Sequence, residues 1–197
     1  ASPAAAQAVQ FDLDPEQTFG IFSHTKQIAR GFAKQIQLEC EQNPLLHHLW
    51  PDTYWREPRK EAPLWSQDAG IVMRRKSNPK EATVESWGLV DGQPTSRHYR
   101  TQIYDDVVTL ESVGTPDQIA KTTSCWEISL ALGTENTRIR YAGTRYHPSD
   151  TYSEIIKRGS AIPRVHAATD NGRMDGTSVL ISRDALERFK RDMGPQI

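Results

Sequence analysis

The stretch from residue 102 to residue 109 reads QIYDDVVT, and it constrains the fold more than any other part of the chain. A short apolar run that ends in two adjacent carboxylates is typical of a buried strand that delivers acids to the edge of a sheet. The alternative is an acidic strand end that turns into solvent. We interpret Asp105 and Asp106 as strand-end acids, and the rest of the chain has to decide between these two interpretations.

Segments typical of strands alternate with segments typical of helices along the chain. Predicted strands cover residues 19–23, 70–73, 82–90, 102–109, 137–144, 162–168 and 178–181. Predicted helices run from residue 26 to Asn43-Pro44, from the Thr115-Pro116 capping box to Gly133, from Ser149-Asp150 to Gly159, and from Ser182 to Met193 before Gly194-Pro195. Residues 44–63 are predicted to form an irregular connection anchored by aromatic side chains. The alternation predicts an α/β fold with a largely parallel sheet and flanking helices, in which the acids and residues 143–145 lie at strand ends.

The length and the net charge of the chain limit the number of domains and the kinds of partner. The chain has 197 residues, of which 37% are hydrophobic, which suits one domain better than two. We expect a flexible segment over residues 1–10 and a single α/β domain over residues 11–197. The net charge of −1 gives no overall attraction to nucleic acid, so any DNA contact would need a local patch. The basic region around residues 74–80 is either such a phosphate-contacting patch or a solvated loop.

Several classes of protein are disfavoured by what the sequence lacks. Cys40 and Cys125 are far apart without a CxxC pair, which argues against zinc and predicts buried thiols in a reduced compartment. No apolar run is long enough to span a bilayer and no signal peptide opens the chain, so we expect a cytosolic protein without membrane contact. The histidines have no ligand spacing, and a GxSxG elbow is absent.

The strand-end acids suit a nucleoside triphosphate site. Such a site needs one carboxylate to hold Mg²⁺ and a second to orient the attacking water. Asp105 fits the first role, and either Asp106 or Glu111 fits the second. Thr144 or Arg145, at a neighbouring strand end, is placed to sense the γ-phosphate, and the small-residue turn there can present amide groups to an anion. A GxxxxGK[ST] phosphate-binding loop is absent from the sequence.

Five motifs in order resemble the ATPase domain of the tailed-phage terminase large subunit. They occupy residues 20–25 (GIFSHT), 61–66 (EAPLWS), 77–84 (SNPKEATV), 104–109 (YDDVVT) and 143–147 (GTRYH). The resemblance runs from about residue 11 to the C-terminal end.

The resemblance implies an ASCE-type P-loop ATPase of a bacteriophage that drives double-stranded DNA into a procapsid. It implies ATP and Mg²⁺ as cofactors, with Asp105 as the Walker B metal residue and Asp106 at the catalytic acid position. Residues 143–145 match the coupling motif, so Thr144 and Arg145 would contact the nucleotide. The implied partners are double-stranded DNA, the portal, the small terminase subunit and further copies in a ring, in the host cytoplasm.

Three departures from the family limit this interpretation. The family's Walker A motif would precede residue 19 and its C-terminal nuclease would follow residue 197, but the sequence includes neither, and Asp106 stands where glutamate is more usual. We therefore expect the chain by itself to bind ATP poorly and not to hydrolyse it. Two alternatives stay open, a non-catalytic binding module derived from a terminase and a metal-dependent nuclease that uses Asp105, Asp106 and Glu111.

Overall fold

The structure, a computed structural model, describes residues 14–167, 169–173 and 175–193. These residues divide into two compact units, a first that ends at Ala161 and a second that begins at Ile162. The predicted flexible segment 1–10 and the Gly194-Pro195 pair lie outside the described residues. Among the helices that are described, none combines the length and the apolarity that crossing a membrane requires.

Most of the regular structure belongs to the first unit. Its strands are β1 (Phe19–Ser23), β2 (Trp65–Ser66), β3 (Gly70–Ile71), β4 (Val84–Gly88), β5 (Tyr99–Asp105) and β6 (Gly133–Ala142). Its helices are α1 (Lys26–Gln42), α2 (Pro44–Leu49), α3 (Pro58–Glu61), α4 (Pro116–Ser129) and α5 (Thr151–Lys157), with 3-10 turns at Glu111–Val113 and Leu130–Leu132. The second unit contains helix α6 (Arg183–Met193) and an isolated antiparallel bridge between Thr169 and Ser178.

The six strands form one mixed sheet in the order β2-β3-β4-β1-β5-β6. The four strands β4, β1, β5 and β6 are parallel, and β2 and β3 add an antiparallel pair at one side. The predicted α/β class with a mostly parallel sheet and flanking helices is therefore confirmed. The antiparallel pair was not predicted.

Helix α1 covers one face of the sheet. Its side chains Phe32, Ile36 and Cys40 belong to the same buried cluster as Phe19 and Ile21 of β1. The helix buries these residues because its apolar positions recur at intervals of three and four residues. Burial raises the pKa of the Cys40 thiol to about 12, and the prediction of a buried cysteine is confirmed for Cys40. It was wrong for Cys125, which is only partly buried.

Helices α4 and α5 contribute to a second cluster, which includes Phe22 of β1 and Trp126 of α4. Because alternate residues of a strand point to opposite faces, Phe22 and Ile21 mark the two faces of the sheet. Across β1, β5 and β6, the rings of Phe22 and Tyr104 stack at 5.2 Å, and those of Tyr104 and Tyr141 at 5.1 Å. This ladder of rings fixes the register of the three strands just before they end.

Two regions differ from the sequence predictions. Residues 44–63 contain the helices α2 and α3, where an irregular connection was predicted; a proline occupies the first turn of each helix. The predicted strands at 162–168 and 178–181 were wrong: residues 162–167 form no strand, and in the second run only Ser178 pairs, in an isolated bridge with Thr169. The large apolar residues in these runs are exposed, as Ile162 shows at 98% exposure.

Candidate functional site

Four strands of the sheet end at one edge. Since β4, β1, β5 and β6 are parallel, their carboxyl ends point the same way. The register pairs Phe22 with Tyr104 and Asp105 with Ala142, which places Ser23 beside Asp105. The segments that leave β1, β5 and β6 therefore meet at this edge, and we call it the strand-end site.

The two acids of the strand-end site have different surroundings. Asp105, the last residue of β5, is 1% exposed, whereas Asp106 is exposed. Asp106 has a φ of 49°, so the chain turns through the left-handed region directly after the strand. Its amide donates to the carbonyl of Ala142 (3.0 Å), and its carbonyl accepts from the amide of His24 (3.2 Å). The backbone of Asp106 is therefore held from both sides, by the exits of β6 and β1.

The exit of β1 contributes a histidine ring and a buried hydroxyl. His24 Nδ1 lies 3.2 Å from the Val107 carbonyl, to which a protonated Nδ1 donates. Ser23 is fully buried, and its Oγ has no hydrogen-bond partner among the described residues. An unsatisfied buried hydroxyl costs about 1–3 kcal/mol. Ser23 Oγ is therefore an atom at this edge that a water molecule or a bound ligand would satisfy.

The N-terminus of α1 begins at the same edge. The Thr25 side chain makes no capping hydrogen bond, and the Lys26 amide instead donates to Asp91 Oδ1 (2.9 Å) from the loop after β4. The Lys26 ammonium lies 5.0 Å from the centroid of the Trp87 ring. An acid from the loop after β4 thus supplies the negative charge that a helix N-terminus favours.

The exit of β6 is bound to helix α5. The Asp150 carboxylate accepts hydrogen bonds from the amides of Tyr146 (3.1 Å) and His147 (3.3 Å), and it caps α5 through the Ser153 amide (2.9 Å). Arg145 Nε lies 3.7 Å from the same carboxylate. The sequence predicted that amide groups here could bind the anion of a ligand. In the structure they bind the carboxylate of Asp150 instead, and Arg145 pairs with the same carboxylate.

Thr144 and Glu111 are the remaining predicted site residues. Thr144 is exposed, and Glu111 is exposed in the 3-10 turn Glu111–Val113. In the described parts of the chain, no three His, Cys, Asp or Glu side chains form a group that could hold a metal ion. Asp105, Asp106 and Glu111 therefore do not form the acidic cluster that the nuclease alternative requires.

Most of the basic region makes contacts within the protein. The Arg75 guanidinium donates to the carbonyls of Glu81 and Pro79, and Lys80 Nζ donates to the carbonyl of Ser96. The further basic residues Arg97 and Arg100 pair with Glu85 (3.1 Å) and Asp14 (3.7 Å). These contacts favour the interpretation of the region as an ordinary solvated loop.

Two cavities are lined by residues of the first unit, and the first of them also reaches His147 and Ser149, which follow β6. One, of 640 Å³, lies beside α4 and α5 and is lined in part by Ile119, Glu127 and Arg158. The other, of 610 Å³, is lined by residues of α2 and by Tyr54 and Trp55. Neither is lined by the strand-end acids, and we place the candidate site at the strand ends because the hydrogen-bonded acids and the buried hydroxyl lie there.

Comparison with known proteins does not assign the chain to a family. No protein-family model matches it, and no curated protein matches it. The fold and the strand-end site define an α/β protein with two acids at the end of a parallel strand.

Sequence reasoning missed one residue that joins the parts of the site. The hydroxyl of Tyr152, in α5, donates to the Ala142 carbonyl (2.8 Å) and accepts from the Val107 amide (3.3 Å). Burial raises the pKa of this hydroxyl; the bond from Val107 opposes the rise and the charges of the strand-end acids add to it. No local signal could have identified Tyr152, because its partner Val107 is 45 residues away in the sequence.

Proposed function

We propose that this chain carries the metal-facing part of the ATP site in a DNA-packaging motor of the terminase large subunit type. The observation that supports the proposal is the meeting of Asp105-Asp106 with the exits of β1 and β6 at one edge of a parallel sheet. That edge is where open α/β sheets bind ligands. The motif resemblance assigns roles to residues that this geometry brings together.

A hydrated divalent cation at this edge would have the carboxylate of Asp105 and the hydroxyl of Ser23 as its oxygen donors, and both side chains are buried. Mg²⁺ keeps several of its waters and uses only one or two carboxylates, so Asp105 is sufficient as the protein ligand. The unsatisfied Ser23 hydroxyl, beside Asp105 in the strand register, suits a partner of such a water. When bound, Mg²⁺ with ATP would supply the phosphoanhydride bond whose cleavage drives DNA movement.

Asp106 is the better candidate for the second acid. The side chain of Asp106 is exposed, and its backbone is held by hydrogen bonds on both sides. Glu111, in contrast, lies in a separate turn. A general base must be held within hydrogen-bond reach of the proton that it takes, so a fixed backbone favours Asp106. The proposed partners are double-stranded DNA, the portal, the small terminase subunit and further copies of the chain in a ring, in the host cytoplasm.

The test is Mg²⁺-dependent ATP hydrolysis by the full-length product of the gene that encodes this chain. We expect Asp106→Asn to lower kcat by about 100-fold or more, since general acid–base catalysis contributes that much. Asp105→Asn should lower kcat at least as far, since a bound metal ion contributes several kcal/mol of transition-state stabilisation. Asp117→Asn, on the exposed first turn of α4, is the matched control and should leave the rate unchanged. Hydrolysis that survives Asp105→Asn at the normal rate would contradict the proposal.

A non-catalytic binding module is the second candidate. This candidate is favoured because Arg145 and the amides of Tyr146 and His147 already bind Asp150. Fewer hydrogen-bond donors are then left for a nucleotide. The two candidates differ in thermal unfolding, because a working site is stabilised by its ligand. Mg²⁺-ATP should raise the Tm of the full-length protein if the ATP site works, and should leave it unchanged in a binding module.

A further inference from the structure

The carbonyl of Ala142, at the end of β6, is shared by two donors. It accepts from the amide of Asp106 (3.0 Å) and from the hydroxyl of Tyr152 (2.8 Å). The same hydroxyl accepts from the amide of Val107 (3.3 Å). Two consecutive residues after the β5 strand are thus tied to one oxygen of β6 and one hydroxyl of α5, and we call this set of bonds the Tyr152 bridge.

Gly143 allows the bridge to form. A Cβ added at this position would lie 2.7 Å from Cζ of Tyr152 and closer still to the hydroxyl oxygen. Real Cβ atoms essentially never approach so closely, so any other residue would displace the ring. The tyrosine ring is 7% exposed and lies in the cluster that contains Trp126.

The residues after Gly143 are bound to the start of α5. Asp150 accepts from the amides of Tyr146 and His147 and pairs with Arg145, and the Arg145 guanidinium also donates to Ser153 Oγ. Residues 144–150 and α5 therefore hold together through their own hydrogen bonds. The Tyr152 bridge connects this group to the backbone of the strand-end acids.

We propose that Tyr152 is a positioning residue that couples the strand-end acids to the segment formed by residues 144–150 and α5. A change in charge or in backbone position at Asp106 and Val107 acts on both bonds of the Tyr152 hydroxyl, and so it is passed to α5, to its cap Asp150 and to the amides that Asp150 holds. The use of this coupling in a motor rests on the proposed function. The coupling itself requires no nucleotide and is testable without one.

The experiment perturbs the acid and observes the segment. Asp106→Asn removes a charge at a left-handed position that asparagine also tolerates. Amide signals of Tyr146 and His147, recorded by ¹H–¹⁵N NMR, should shift in Asp106→Asn relative to the unchanged protein. In a Tyr152→Phe background the same substitution should produce no shift. Shifts of equal size in both backgrounds, or no shift in either, would overturn the proposal.

A second measurement checks that the bridge itself has been broken. The amide of Val107 loses its acceptor in Tyr152→Phe, so its hydrogen exchange should accelerate by about 2- to 12-fold, the range that one net hydrogen bond represents. Tyr141→Phe is the matched control, because the Tyr141 hydroxyl accepts from Trp126 Nε1 (3.1 Å) and has no part in the bridge. Exchange at Val107 should be unchanged in that variant.

A variant on the other side of the bridge covers the case in which Tyr152→Phe does not fold. Gly143→Ala displaces the tyrosine ring without removing its hydroxyl. It should also abolish the response of Tyr146 and His147 to Asp106→Asn, and a full response in folded Gly143→Ala would refute the coupling. Failure of ATP hydrolysis to depend on Asp105 would reject the proposed function while leaving this result intact.

Discussion

The backbone conformation of Asp106 makes a sharp prediction about stability. Its φ of 49° costs an ordinary L-residue about 1–2 kcal/mol, less for aspartate and asparagine, and is strongly disfavoured for a β-branched residue. The side chain is exposed, so a substitution loses little packing. We therefore expect Asp106→Asn to change the free energy of unfolding by less than about 0.5 kcal/mol, and Asp106→Val to lower it by about 2 kcal/mol.

The hydrogen bonds of Asp106 set an upper limit on that loss. If valine forces the turn to open, the bonds to Ala142 and from His24 are lost, which costs about 1–3 kcal/mol for the two. The variant adopts whichever state has the lower free energy, the strained turn or the opened turn, so the loss of stability cannot greatly exceed about 3 kcal/mol. Asp106→Gly should fall between asparagine and valine, because glycine accepts positive φ but adds about 0.5–1 kcal/mol of chain entropy in the unfolded state.

Urea unfolding of the four proteins, with Asp117→Val as the control, measures these differences. Asp117 is exposed in the first turn of α4, so its replacement should cost less than about 1 kcal/mol, from the helix dipole and from propensity. Equal midpoints for Asp106→Val and Asp106→Asn would show that residue 106 does not occupy the left-handed region in solution.

Three further predictions concern buried polar groups, all measured by urea unfolding. Asp150→Ala removes a fully buried carboxylate that three amides share, and should cost about 2–4 kcal/mol; a loss below about 1 kcal/mol would contradict the described contacts. Ser23→Ala removes a hydroxyl that has no hydrogen-bond partner among the described residues, and it should leave the free energy of unfolding unchanged or raise it by up to about 1 kcal/mol. Ser129→Ala loses the bonds to Trp126 and Tyr104 and should lower it by about 1–3 kcal/mol. Equal losses in the two variants would show that the two hydroxyls do not differ in hydrogen bonding. Because burial raises the pKa of Cys40 from 9.0 to about 12, its stabilising contribution is complete below pH 9.0 and is lost as the pH rises toward 12. Between pH 9.0 and pH 10.0, below the range in which the buried tyrosines contribute, this decline of at most about 1.4 kcal/mol per pH unit should be absent in Cys40→Ala, and an unchanged slope there would contradict the assignment.

The sequence predicts the parts of the fold whose signals are local. The Thr115 cap of α4 is present, with Thr115 Oγ1 accepting from the Gln118 amide at 3.2 Å, and Asp150 caps α5 as predicted. Alternating strands and helices also placed the acids and the 143–145 segment at the ends of neighbouring strands. These features depend on residue spacing and on the rule that parallel strands end at one edge, which need no knowledge of distant contacts.

The wrong predictions concern signals that composition alone cannot resolve. The apolar runs at 162–168 and 178–181 have the composition of strands, but a strand is stabilised by its neighbours, and the described residues there make only one bridge. Asn43 was interpreted as the end of a helix; it closes α1 and also caps α2 by accepting from the Leu45 amide. Composition cannot distinguish a residue that only ends a helix from one that ends a helix and also caps the next.

Gly143 shows how the same residue supports two different explanations. From the sequence, a glycine before Thr144 at a strand end is typical of a turn that presents amides to an anion. In the structure, the Tyr152 ring occupies the space that a Cβ at residue 143 would need. The nearby amides of Tyr146 and His147 bind Asp150. Packing against Tyr152 therefore requires this glycine even if no anion ever binds here. The presence of glycine at residue 143 is consequently not in itself an argument for a nucleotide, and the proposed ATP site depends instead on the acids and on the measurements at Asp105 and Asp106.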